Sequence, residues 1–224
     1  MNWNDSLWFS PCYAIYPFRD LVQKIGSKKA FQKKKELEAY ITGITLLGVN
    51  YSEKKLWWLQ VPPNDPPDTL AATLTVNEKG IGVLNVQQVE IFQIGDYVQE
   101  EIWEAIARKL KHKAYDPKTT LIGLINKDTE IKDIRNITNQ LKQIRISISS
   151  IWLIGDIEPM QNTYLAFQVW PLPEVYKIDV DKECQRLRQY GHVMRATRST
   201  KIPTVKMTQI KRAELPKLIP NGDY

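Results

Sequence analysis

The chain predicts an α/β fold of three layers, a central mixed sheet flanked by helices. Strand-like and helical runs follow one another as helix, three strands, helix, strand, helix and two strands. Two of the strands are separated only by a short turn, which gives antiparallel pairing. The strand–helix–strand segments require crossovers and therefore parallel pairs. A sheet that mixes both, with helices packed on its faces, satisfies these constraints. With 224 residues, 43% of them hydrophobic, the chain is long enough to bury such a core.

Residues 1–27 read as an aromatic-rich arm (Trp3, Trp8, Phe9, Tyr13, Tyr16, Phe18), broken by Pro11 and Pro17, with a short helix near Arg19–Ile25. A helix over Lys28–Leu47 places Leu37, Tyr40, Ile41, Ile44 and Leu47 on one face, and Gly48 is its expected stop. Lys55–Val61 forms a strand ended by Pro62-Pro63. Thr69–Val76 and Ile81–Ile94 form a hairpin across Asn77-Glu78-Lys79-Gly80. Asp96, with Gln99 three residues on, caps a helix that runs to Lys113 and buries Val98, Ile102, Ile106 and Leu110.

Thr120–Asn126 is a buried strand, and Asp128 or Thr129 opens a helix with the stripe Ile131, Ile134, Ile137, Leu141 and Ile144. Ser150–Gly155 and Thr163–Trp170 are two further strands. Beyond Pro171-Leu172-Pro173 the periodicity fades into a short helix over Asp181–Tyr190 and a polar tail containing Pro203, Pro216 and Pro220. The expected division is an arm at 1–27, an α/β domain at 28–180 and a basic extension at 181–224.

Charge is unevenly distributed. The net charge of +6 resides in residues 181–224, which include Arg186, Arg188, Arg195, Arg198 and Lys201; the rest of the chain is neutral. A second cluster, Lys24, Lys28, Lys29, Lys33, Lys34 and Lys35, contains no acid. Localised positive charge suits a phosphate backbone, although a solvated helix face and tail have the same composition. No apolar run approaches the roughly 18 to 20 residues that span a bilayer, and Met1–Asp5 shows no signal-peptide pattern. Cys12 and Cys184 make neither a disulfide framework nor a zinc site, so a reducing, cytoplasmic location is expected. His112 and His192 have no ligand-like spacing, and Gly80-Ile81-Gly82 enters a strand, so neither a zinc site nor a dinucleotide loop is indicated.

The chemistry concentrates between Asp65 and Glu90. Asp65-Pro66-Pro67-Asp68 leads into the hairpin, whose return strand carries Gln88 and Glu90 among apolar residues. The period of two puts both on one face, roughly 7 Å apart. Half-buried acids in a strand need a partner or a metal. Asp68 beside Glu90 would supply the hard oxygens that Mg²⁺ takes, and such a cation activates water against a phosphodiester. Asp68 is equally a common turn residue, and Gln88 and Glu90 could face water. Glu36 lies on the edge of the first long helix's apolar stripe, where it could lean toward the same site.

With Glu36 in the first helix, Asp-Pro-Pro-Asp before the hairpin and Val89-Glu90-Ile91 on the return strand, residues 28–170 resemble the PD-(D/E)XK nuclease superfamily, the restriction-endonuclease-like fold. The likeness implies Mg²⁺ (or Mn²⁺)-dependent hydrolysis of DNA, and a possible homodimer. Asp68 matches the motif's first Asp and Glu90 its second acid. Phe92 then stands where the family has Lys. Alternatively Glu90 fills the Lys position and Gln88 the acid slot. Lys109 or Lys113, from the following helix, could supply the missing amine. The expected function is a restriction-like endonuclease gripping DNA through Lys28, Lys29, Lys33, Lys34, Lys35 and the basic extension. A catalytically inactive module that binds nucleic acid or a partner protein through its tail is the alternative, and an assembly factor docking on an acidic partner is a third.

Overall fold

The computed structural model describes residues 7–25, 30–31, 33–53, 55–63, 66–76, 82–94, 101–125, 134–158, 163–188, 193–198 and 205–209. Its elements are β1 (Leu7–Phe9), α1 (Pro11–Ile25), α2 (Lys34–Glu53), β2 (Trp57–Gln60), β3 (Thr69–Val76), β4 (Gly82–Ile94), α3 (Ile102–Lys111), β5 (Thr120–Ile125), α4 (Ile134–Leu141), β6 (Ser150–Glu158), β7 (Thr163–Trp170), β8 (Glu174–Asp179), α5 (Val180–Leu187), β9 (Val193–Arg198) and β10 (Val205–Gln209). The strands form one sheet in the order β10-β9-β1-β2-β3-β4-β5-β6-β7-β8. Pairs β4–β5 and β5–β6 are parallel, and the other pairs are antiparallel. The mixed α/β sheet is as the sequence predicts.

Alternation along the central strands separates two helical layers. On β6, Ile151 and Leu153 pack with α3 and α4, whereas Trp152 and Ile154 pack with α1, α2 and α5. β5 divides in the same way, Leu121 to the first layer and Ile122 to the second. The sheet is therefore the middle of three layers.

Several boundaries differ from expectation for identifiable reasons. Residues 7–25 are regular rather than irregular: β1 pairs with both β2 and β9, and α1 is a 15-residue helix with Pro17 inside it. Ser10 caps that helix, its Oγ accepting the Tyr13 N–H at 3.2 Å, and Pro11 occupies the first turn, where no N–H is needed. Gly48 does not end α2. A Cβ there would meet Ile178 Cδ1 at 3.2 Å and Ala166 Cβ at 3.5 Å, so the glycine lets the helix lie close over β7 and β8 and continue to Glu53. Beyond Pro173 the described residues include further regular elements: β8 is an edge strand, α5 overlaps the expected helix, and β9 and β10 extend the sheet beside β1, while residues 210–224 lie outside the described residues.

The expected Asp96 cap, the 77–80 turn and the Asp128 or Thr129 helix start lie outside the described residues. α3 begins at Ile102, where the Glu104 carboxylate accepts the Glu101 N–H at 3.1 Å. Cys12 and Cys184 are not separate thiols. They form a disulfide joining α1 to α5, with Cα atoms 5.4 Å apart, which removes the cysteine-based ground for a reducing compartment. Among the described residues no helix is long and apolar enough to cross a membrane.

Candidate carboxylate–lysine site

Register brings Asp68 and Glu90 together. Thr69 on β3 faces Val89 on β4, so the next positions outward are Asp68 and Glu90. Asp68 prolongs the ladder with its side chain: Oδ2 accepts the Ile91 N–H at 2.7 Å. Both acids are buried, at 7% and 6% exposure.

On one side, the start of α2 closes over Asp68. Lys34 Nζ lies 3.4 Å from Asp68 Oδ1 and 2.9 Å from Glu38 Oε1. Lys35 Nζ donates to the Asp68 carbonyl at 3.2 Å and lies 3.5 Å from Glu38 Oε2. Glu38 is only 2% exposed because the face of α2 that carries it, Glu38–Thr42–Thr45, is laid on the sheet. One turn on, Thr42 Oγ1 hydrogen-bonds Thr69 Oγ1 at 2.8 Å. Burial pushes the Glu38 carboxyl up from its ordinary value, and the nearby Asp68 adds to the rise, against the pull of Lys34 and Lys35. Neither Glu38 oxygen accepts a hydrogen bond of normal geometry among the described residues.

On the other side, Glu90 shares the face of its β5 partner Leu121, toward α3 and α4. Lys113, two residues past α3, reaches it with Nζ 2.7 Å from Oε1 and 4.9 Å from the Tyr115 ring centroid. Tyr115 donates to the Lys109 carbonyl at 3.4 Å. Its phenol is raised to about 12, first by burial and then by the carboxylates of Glu90 and Asp68. Phe92, at the position where the resemblance has Lys, packs instead into the apolar layer of α3 and α4.

The remaining expected residues are dispersed. Gln88 is exposed on β4. Glu36 turns back on the helix start, where its Oε2 accepts the Lys33 N–H at 3.2 Å. The acid of α2 that lies against Asp68 is therefore Glu38, which sequence reasoning missed. The signal was present: Glu38 stands three and four residues after Lys35 and Lys34, and four before Thr42. Of the basic residues, Lys34 and Lys35 face the acids and Lys33 is exposed. Arg186 is held 2.8 Å from Glu183, Arg188 is exposed at the end of α5, and Arg195 and Arg198 lie on β9, four strands from β4. Lys28, Lys29 and Lys201 lie outside the described residues.

Comparisons with known protein families, curated proteins and solved structures returned no match. Function must be argued from the site. Among the described residues no three His, Cys, Asp or Glu side chains form a ready cage for a metal ion. Mg²⁺, however, is commonly held by one or two carboxylates together with water and substrate phosphates. Asp68 and Glu90 supply that donor type. The Lys34 side chain beside Asp68 is 70% exposed, so a phosphate can reach its ammonium from solvent.

Proposed function

We propose that this chain is a divalent-cation-dependent nuclease that hydrolyses phosphodiesters of DNA, built on a core of the PD-(D/E)XK kind. Two findings support the reading. From α2 to β5 the elements run helix, three antiparallel strands, helix and a parallel strand. Within that core, the observation that carries the reading is the pairing of buried Asp68 and Glu90 across β3 and β4, with Lys113 Nζ 2.7 Å from Glu90. Lys113 supplies from the end of α3 the amine that position 92 lacks.

Asp68 and Glu90, with water and the substrate phosphate, would hold Mg²⁺ or Mn²⁺, which when bound polarises the phosphodiester and makes water a better nucleophile. The protein's own groups do the rest. Lys34 and Lys35 line the approach with positive charge and attract the phosphate. The Lys113 ammonium, fixed between Glu90 and the Tyr115 ring, is placed to stabilise an oxygen that gains negative charge as the P–O bond breaks. Tyr115, with its raised pKa, stays protonated and neutral throughout the working range.

Purified protein incubated with plasmid and Mg²⁺ or Mn²⁺ tests the proposal. Cleavage is expected, and is expected to disappear with a chelator and in Asp68→Ala and Glu90→Ala. Folded protein that retains DNA in a salt-sensitive way but never cuts it overturns hydrolysis and leaves the inactive binding module.

A further inference from the structure

Between α2 and the first residues of β5 and β6 lies a pocket of about 240 Å³. None of its fifteen lining residues is charged. A wall without charged groups favours a neutral ligand, because a charge taken into it would find no opposite charge. The wall is nevertheless well supplied with hydrogen-bonding groups, among them Gln87, Thr120, Ser149 and Gln168, set beside the flat indoles of Trp57 and Trp152. Thr120 Oγ1 donates to Gln87 Oε1 at 3.1 Å, which fixes that amide with its NH₂ left to donate elsewhere. A cavity of about 150 Å³ accepts benzene, so 240 Å³ has room for about ten non-hydrogen atoms. Neutral, flat, edged with donors and acceptors, and of that size describes a purine or pyrimidine ring.

The pocket adjoins the carboxylate site. Thr42 lines it and bonds Thr69, the residue after Asp68. Val89 lines it and precedes Glu90. We infer that this pocket receives one nucleobase, either extruded from a strand or from a free nucleoside. The choice of a nucleobase over other neutral heterocycles rests on the proposed nuclease reading. The pocket's chemistry does not depend on hydrolysis.

Calorimetric titration of the intact chain, without divalent cation, separates the two. The probes are adenosine, guanosine, cytidine and thymidine, and a short single-stranded oligonucleotide with and without an abasic site. At least one base-bearing probe is expected to bind. Gln168→Leu, which removes an amide, and Ala71→Leu, which fills space, are each expected to weaken it at least tenfold while circular dichroism and melting stay native. Preference for the intact over the abasic oligonucleotide assigns the pocket to an extruded base, and nucleoside binding without that preference assigns it to the free form. No binding of any base-bearing probe, or binding unchanged in both pocket variants, overturns the inference. Absence of plasmid cleavage leaves this result standing, because no step of the titration requires catalysis.

Discussion

Toward α3 and α4 the sheet presents Ile94, Leu121, Ile151, Leu153, Phe167 and Val169, an almost wholly apolar surface. Toward α2, the same strands and the helix above them bury Glu38, Thr42, Thr45 and Thr69 and enclose a pocket with a hydrogen-bonding wall. The two faces are covered by the same kind of element, so the contrast is not imposed by architecture. Buried polar groups destabilise unless they are satisfied, and Glu38 lacks a well-formed hydrogen bond. Departures from the rules of core building collect at sites of function. On the α3–α4 side the polar chemistry is confined to Glu90 with Lys113, whereas on the α2 side it runs through the buried layer itself.

This contrast can be tested by substitution on each side. The largest effect is expected at the acids: Asp68→Ala or Glu90→Ala should lower plasmid cleavage by about a thousandfold or more, equivalent to roughly 4 kcal/mol of barrier, at temperatures where circular dichroism shows the variant folded. A stability loss large enough to account for the activity would break the comparison. Next, Leu153→Ala, at a fully buried position of the apolar face, should cost about 2–5 kcal/mol in denaturant unfolding. At temperatures where the variant stays folded its metal dependence should be unaltered.

A smaller change of opposite sign is expected at Glu38. Its raised carboxyl pKa means that the folded state binds that proton more tightly than the unfolded chain does. Stability should therefore fall as pH rises from the ordinary glutamate range through the raised value. Glu38→Gln should flatten that slope and raise the melting temperature by a few degrees near neutrality. Melting curves across pH decide it. The smallest effect belongs to Tyr115→Phe. With the phenol raised to about 12, the pH–rate profile should match the parent's up to about pH 10, because no phenolate forms there.

The sheet's centre was legible because its strands are strongly patterned. β3 and β7 match the expected boundaries, as do β4 and β5 over their described residues, the expected ends at Ile81 and Asn126 lying outside these. Asp68 and Glu90 stood out as acids at the margin of apolar runs. Lys113 was visible only as one of two basic residues at a helix end. The missed features share a physical cause: their signals are not periodic. Ser10-Pro11 is a helix start made of a capping hydroxyl and a proline that needs no donor, yet the two prolines read as breakers. β8 carries Glu174, Lys177 and Asp179 because an edge strand faces solvent, so its alternation is masked. Gly48 signals a stop unless the sheet beneath it is known. Glu36 and Glu38 are equally plausible from composition, and only the path of α2 over Thr69 decides between them. The Cys12–Cys184 bond spans 172 residues and leaves no local trace.

β1 completes this protein's layout in a way that bears on how the chain can be cut. Its three residues are fully or almost fully buried between β2 and β9. Their second neighbour is synthesised some 180 residues later, so during translation the strand waits with one edge bare. Removing everything past Asp179 would take away α5, β9 and β10 together with the basic residues. It would expose that edge and the apolar surface under α5, and the shortened product should precipitate or be degraded rather than report on nucleic-acid affinity.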